Sequence, residues 1–250
     1  MQMQIRRASE RGHANHGWLD TRHTFSFASY WDPRFESFGP LRVLNEDRVH
    51  GGTGFGRHGH SNAEIFSYIV NGSLEHRDSM GNREVLRRGD VQFTCAGSGI
   101  RHSEMNAHPT EPVHFLQIWV LPEKQRLSPS YATKHFTTEA KHNKLCLLVS
   151  KKGHNGSIKI HQDISTFATL LDDGASIRHK FKKGRAGYVH VVDVKGSNGV
   201  TLNEDTKLLP GDGAFVQDVS ELNIVGHAQE HLHAELLLFD LKQPEDRAHM

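Results

Sequence analysis

The stretch VNGSLEHRDSMGNREVLRRGDV, residues 70–91, carries a turn glycine near each end, Gly72 and Gly89, and a further turn at DSMGN. Its frame occurs twice. VNGS at 70–73 is followed by RGDV at 88–91, and VKGS at 194–197 is followed by PGDG at 210–213. The glycines are 17 residues apart in the first copy and 15 in the second, which suits two copies of one small β-barrel that differ by a loop. Glycine marks such turns because it alone adopts positive φ without a steric penalty.

Working outward, strand-sized runs rich in Val, Ile, Leu, Phe and Tyr recur along the chain: LRVLNEDRV, EIFSYIV, VQFTCAG, VHFLQIWVL, YVHVVDV, GAFVQDV and AELLLFDL. Gly, Asn or Asp bounds them, as in successive short strands of a sandwich or barrel. Helical periodicity is scarce, and DISTFATLLDDG at 163–174 is the best candidate for a helix or an extended arm. The polar segment LPEKQRLSPSYATKHF, with Pro122 and Pro129, reads as a linker or crossover. The expectation is an all-β chain of two tandem barrels, 1–130 and 131–250, with the boundary near residue 130.

Composition narrows the function classes. A hydrophobic fraction of 36%, 13 Phe and 24% charged residues of balanced sign describe a globular chain with cores to fill. The net charge of +1 and the isolated basic cluster KFKKGR at 180–185, read as a solvated turn, give no footprint for direct nucleic-acid binding. Cys95 and Cys146 form no CxxC pair, so neither a disulfide framework nor a thiolate metal knot is indicated. MQMQIRRASERGH at the start has no apolar core of a leader, and no run has the length of a membrane span. A cytoplasmic monomer without membrane association is expected.

The chemistry lies in two short pairs. Side chains two apart on a strand share a face, so His58 and His60 of GFGRHGH point the same way, as do His102 and Glu104 of GIRHSE. Three imidazole nitrogens and a carboxylate suit one first-row divalent ion of the Fe, Mn, Ni, Cu or Zn group. They leave one or two positions on a six-coordinate ion for substrate or dioxygen. With 20 His in the chain, chance alone supplies such pairs, and HLHAE at 231–235 is one. The repeat discriminates between them. The offsets of His58, His60, His102 and Glu104 from their turn glycines land, in the second copy, on Lys182, Gly184, Ile224 and Gly226. That is no ligand set, so the second barrel is expected to be metal-free and HLHAE to be a polar turn before the last strand.

Gly52, His58, His60, Glu64 and Gly72 resemble the first motif of the cupin superfamily, and Gly89, Gly99 and His102 its second. That resemblance implies double-stranded β-helix, or jelly-roll, barrels, and it offers Glu64 as a ligand beside the alternative Glu104. A narrower resemblance chooses between them. RGHANHGWLDTRHTFSFASYWDPRF at 11–35, GFGRHGH at 54–60, EHRDSMGN at 75–82 and AGSGIRHSE at 96–104 resemble the signature blocks of the pirin family, of the bacterial type.

The pirin resemblance implies one divalent ion, generally Fe(II), in the amino-terminal barrel on His58, His60, His102 and Glu104, with Glu64 structural. It also implies quercetin 2,3-dioxygenase activity, with a flavonol-like substrate and O2 as reactants and Glu104 as a candidate base. The alternative it carries is a non-enzymatic regulator that senses metal oxidation state and acts through a protein partner. Phe55, just ahead of the histidines, and Gln117 are the expected pocket residues. Phe66, Phe93 and Trp119 are expected in the core, and His16 and His23 in structural roles near a strand through Phe25 and Phe27. Where the family usually has Pro, a basic residue and a larger apolar residue, this chain has Gly59, Ser61 and Ala63. These are the places to look for an altered pocket.

Overall fold

The computed structural model describes residues 2–244. By contacts the chain forms two compact units, and in each a seven-stranded sheet accompanies a four-stranded one. The amino-terminal unit covers Gly12–His135 and Ile160–Gln162. Its large sheet runs Ser130–His135, Asp90–Cys95, Glu64–Asn71, Val113–Val120, Leu41–Val49, Leu19–His23, Gly12–Asn15, all antiparallel. Its small sheet runs Gly54–His60, Ile100–Asn106, Ser73–Asp78, Arg83–Arg87. The unit's core includes Val49, Ile69, Leu74, Val113 and Phe115, all shielded from solvent. Each such side chain contributes about 1.5–3 kcal/mol by leaving water.

The other unit repeats the plan. Its small sheet runs Ser176–Lys180, Glu221–Ala228, Ser197–Leu202, Thr206–Leu208, in the same sequential logic as the first. The two pairs of marker glycines stand in the same backbone state, with φ of 80° at Gly72 and 82° at Gly196, 89° at Gly89 and 83° at Gly211. The interior is apolar, built from residues such as Ile177, Val189, Leu222, Ile224 and Leu238.

Four expectations are corrected. Residues before Gly12 belong by contacts to the carboxy-terminal unit, because Gln2–Arg6 pairs along its whole length with Gly213–Gln217. DISTFATLLDDG is not a helix: Ile164–Leu171 is a strand paired with Ala234–Lys242, its β-branched Ile164, Thr166 and Thr169 suited to the pleat. The linker reading fails in its second half, where Ser130–His135 is a strand paired with Asp90–Cys95. The offsets from Gly196 overshoot, since Lys182 and Gly184 lie past the strand Ser176–Lys180, while Ile224 does sit on the strand facing it.

Candidate metal centre

Two neighbouring strands of the small sheet bring the histidines together. Gly54–His60 and Ile100–Asn106 are antiparallel, and His58 lies directly opposite His102. A bulge between His102 and Glu104 then shifts the register, so that Glu104 lies opposite Phe55. Without it, Phe55 would fall on the other face from His58, three residues along. The bulge thus re-aims Phe55 to the ligand side, where it packs edge-on against Trp18 with ring centroids 5.2 Å apart.

The three imidazoles converge. Ring centroids are 4.7 Å apart for His58 and His60, 4.5 Å for His58 and His102, and 4.8 Å for His60 and His102. His58 Nε2 and His102 Nε2 stand 3.0 Å apart. The Nδ1–H of His58 donates to the Gly56 carbonyl at 2.7 Å, which leaves Nε2 as its lone-pair nitrogen. His60 Nε2 and His102 Nδ1 are buried without any hydrogen-bond partner. Burial, then the neighbouring His58, pushes His60 down to about 4, and burial with His58, His60 and His76 pushes His102 down to about 3. Both rings are therefore neutral near pH 7, the form that binds a metal.

Glu104 is reached from the facing sheet. Gln117 Nε2 donates to its Oε2 at 3.1 Å, and Ser67 Oγ lies 3.2 Å from its Oε1. Ser67 and Gln117 are themselves cross-strand partners, with Ser67 Oγ 2.6 Å from Gln117 Oε1. Burial raises the Glu104 carboxyl to about 7, against the opposing bonds from Ser67 and Gln117 and with help from the charge of Asp47. Ser67 has one hydroxyl hydrogen between two acceptors, so a protonated Glu104 fits this network by donating to Ser67 while Ser67 donates to Gln117.

The donor atoms of His58, His60 and His102 lie within 4.8 Å of one another, and a second such group consists of His76, His102 and Glu104. His76 escaped the sequence reading. It lies opposite Glu104 on the other flank of Ile100–Asn106, fully buried, its Nδ1 unpartnered and its ring stacked on Tyr131 at 5.0 Å. The signal that was available is the alternation Leu74, His76, Asp78 after Gly72, which puts all three on one face. Tyr131 was hidden inside the presumed linker.

The remaining candidates separate from this cluster. The fully buried Glu64 accepts from the backbone N–H of His161 at 3.0 Å and lies 2.8 Å from its ring Nδ1, a structural tie within the same unit. His23 lies 2.9 Å from the Asn45 side chain, and Phe66 and Phe93 are core. Trp119, expected in the core, is only half-buried, and its ring meets His60 edge-on at 4.7 Å. His60 Nε2, His76 Nδ1 and His102 Nδ1 are buried without partners, which is costly in the absence of a cation. The residues present therefore fit a divalent metal.

The chain is similar to known proteins along most of its length. The family profile described as Pirin matches residues 4–120, and the Quercetinase C-terminal cupin domain matches 147–241. Quercetin 2,3-dioxygenase of Escherichia coli strain K12 is 44% identical over 238 residues, 95% of this chain and 97% of that protein. A pirin-like protein of Caulobacter vibrioides is 37% identical over 231 residues, 92% of this chain and 95% of that one. Among solved structures, the bacterial pirin YhhW of Escherichia coli in complex with nickel(II) superposes with a TM-score of 0.88 at 40% identity, covering 97% of this chain and all of that one.

Proposed function

The chain belongs to the pirin family, and from that premise we propose that it is a metal-dependent dioxygenase that opens the ring of flavonols such as quercetin. The observation that carries the reading is the convergence of the His58, His60 and His102 rings, with His60 Nε2 and His102 Nδ1 buried and unpartnered, beside a carboxyl raised to about 7. His58, His60, His102 and Glu104 would hold one divalent ion, with Fe(II) favoured by the family and nickel by the solved relative. When bound, that ion supplies Lewis acidity toward a substrate hydroxyl and a meeting place for substrate and dioxygen.

The chain's own residues supply the rest. Glu104 would accept the proton of the flavonol 3-hydroxyl at a carboxylate oxygen, a transfer favoured by a carboxyl that titrates near working pH. Gln117 and Ser67 fix that carboxyl in place through the bonds already described. Phe55, opposite Glu104, offers an apolar surface for an aromatic ring. Both atoms of dioxygen enter the opened product and one ring carbon leaves as carbon monoxide, so no external reductant is needed.

Metal-loaded protein incubated with quercetin in air and under argon tests this. The expected result is flavonol loss with carbon monoxide release in air alone, reduced at least about 100-fold in His102→Ala. Loss that does not need oxygen, or that survives the substitution, contradicts the proposal.

A further inference from the structure

The geometry points to a second divalent-metal site, of the zinc class, formed by His142, Asp172 and His233 on the carboxy-terminal unit. Three separate segments build it. The register Leu171 opposite Ala234 puts Asp172 and His233 side by side just beyond the end of the paired strands. His142 follows the short helix Thr138–Lys141 and is bridged to Leu170, and the next residue, Asn143, donates its backbone N–H to the Leu170 carbonyl at 2.8 Å.

The donor atoms of the three residues lie within 4.8 Å of one another. His142 Nε2 is 2.9 Å from Asp172 Oδ2, and His233 Nδ1 is 2.8 Å from Asp172 Oδ1. His233 Nδ1 is shielded from solvent, and its close polar neighbour is this Asp172 oxygen. Asp172 thus draws one ring nitrogen onto each of its two oxygens, His142 on one and His233 on the other. Asn143 Nδ2 donates to Asp172 Oδ2 at 2.8 Å and orients the carboxylate, as an outer residue does around a metal ligand. Asp172 is firmly ionised, brought down to about 2 by Asn143 and His142. The cleft around it adds Asp173, Glu230 and His231, so its charge favours a cation. Two imidazoles, one carboxylate and an open side match zinc with three protein ligands and a free fourth position.

This site shares no residue with the amino-terminal centre. It sits past the strand ends of a barrel whose interior is filled with apolar side chains, and it uses one histidine of HLHAE with two distant partners, not the H-x-H pair as such.

Zinc retained per chain after dialysis against a weak chelator, with the full-length protein, tests the inference. The expected counts are two for the wild type, one for H142A/H233A and one for H58A/H60A. An H142A/H233A protein that retains as much zinc as wild type overturns the site, as does a wild-type count abolished by H58A/H60A. Loss at the amino-terminal pair and loss at this cluster are thereby distinguished. Histidine ring nitrogen NMR on wild type and D172N guards against misfolding: zinc is expected to shift His142 Nε2 and His233 Nδ1 in wild type, with affinity lowered more than about 100-fold in D172N. Unshifted nitrogens in folded wild type also overturn it.

Discussion

At the scale of single residues, Glu104 sets the pH behaviour. Its carboxyl is raised to about 7 by burial, whereas His60 and His102 are depressed to about 4 and 3. A proton on Glu104 competes with a cation, so metal affinity is expected to climb as pH rises through 7 and then level off. Calorimetric titration across pH 5.5–8.5 reads this, and an affinity flat across the range contradicts it. In the metal-free protein the sign reverses. A raised carboxyl contributes stability that is present below its unfolded value near 4.5 and lost as pH rises through 7. Glu104→Gln is thus expected to stabilise metal-free protein at pH 8 by about 1–3 kcal/mol in urea unfolding, and to remove the gain in stability on adding metal. The depressed histidines act in the other direction, withdrawing stability as pH falls from 6.5 through 4 and 3. Period-two spacing puts His58 with His60, and His102 with Glu104, on shared faces, while the preference for Glu104 over Glu64 came from the pirin resemblance. His76, Ser67 and Gln117 complete the network through cross-strand register and through contact between sheets. Local spacing shows only that His76 shares a face with Leu74 and Asp78, so of the three only Gln117 was anticipated, and its bond to Glu104 was not.

Strands and turns carry the next set of consequences. Gly72 has φ of 80°, and a Cβ there would stand 2.8 Å from the Pro112 carbonyl oxygen and the Val113 Cα, both backbone. Gly72→Ala is therefore expected to cost at least about 1–3 kcal/mol, read as a lowered urea midpoint. Gly59 is a contrasting case. Its backbone is ordinary, and the nearest atom to an added Cβ is the Ile100 carbonyl oxygen at 3.6 Å. Gly59→Ala is expected to raise stability by about 0.5–1 kcal/mol through the unfolded chain, and a destabilised variant would mean that the strand needs glycine. The repeated turns were legible because a positive-φ glycine leaves a mark in sequence. Strand Ile164–Leu171 was not, since a short apolar run of that length fits helix or buried strand alike until its partner Ala234–Lys242 is known. Ser130–His135 was masked by Pro129, which ended the linker and did not prevent a strand from starting directly after it.

For the molecule, the two-barrel plan was visible in the paired glycines, while the assignment of the first strand was not. Gln2–Arg6 bonds to Gly213–Gln217, some two hundred residues away in sequence, and is reinforced by the Arg7–Asp212 ion pair at 2.7 Å. Nothing local in MQMQIRR announces that partner. Removal of residues 2–7 is expected to bare the edge of Gly213–Gln217 and lower stability by at least about 2 kcal/mol in thermal unfolding, with aggregation on heating. An unchanged midpoint would show that the strand is dispensable. The central claim, a divalent ion held in the amino-terminal barrel, is tested most directly by anomalous diffraction from metal-loaded crystals. The account predicts a peak about 2.0–2.2 Å from one ring nitrogen each of His58, His60 and His102 and from a carboxylate oxygen of Glu104. A map with no peak among those four residues, or a peak held by His76 in place of His58 and His60, would contradict it.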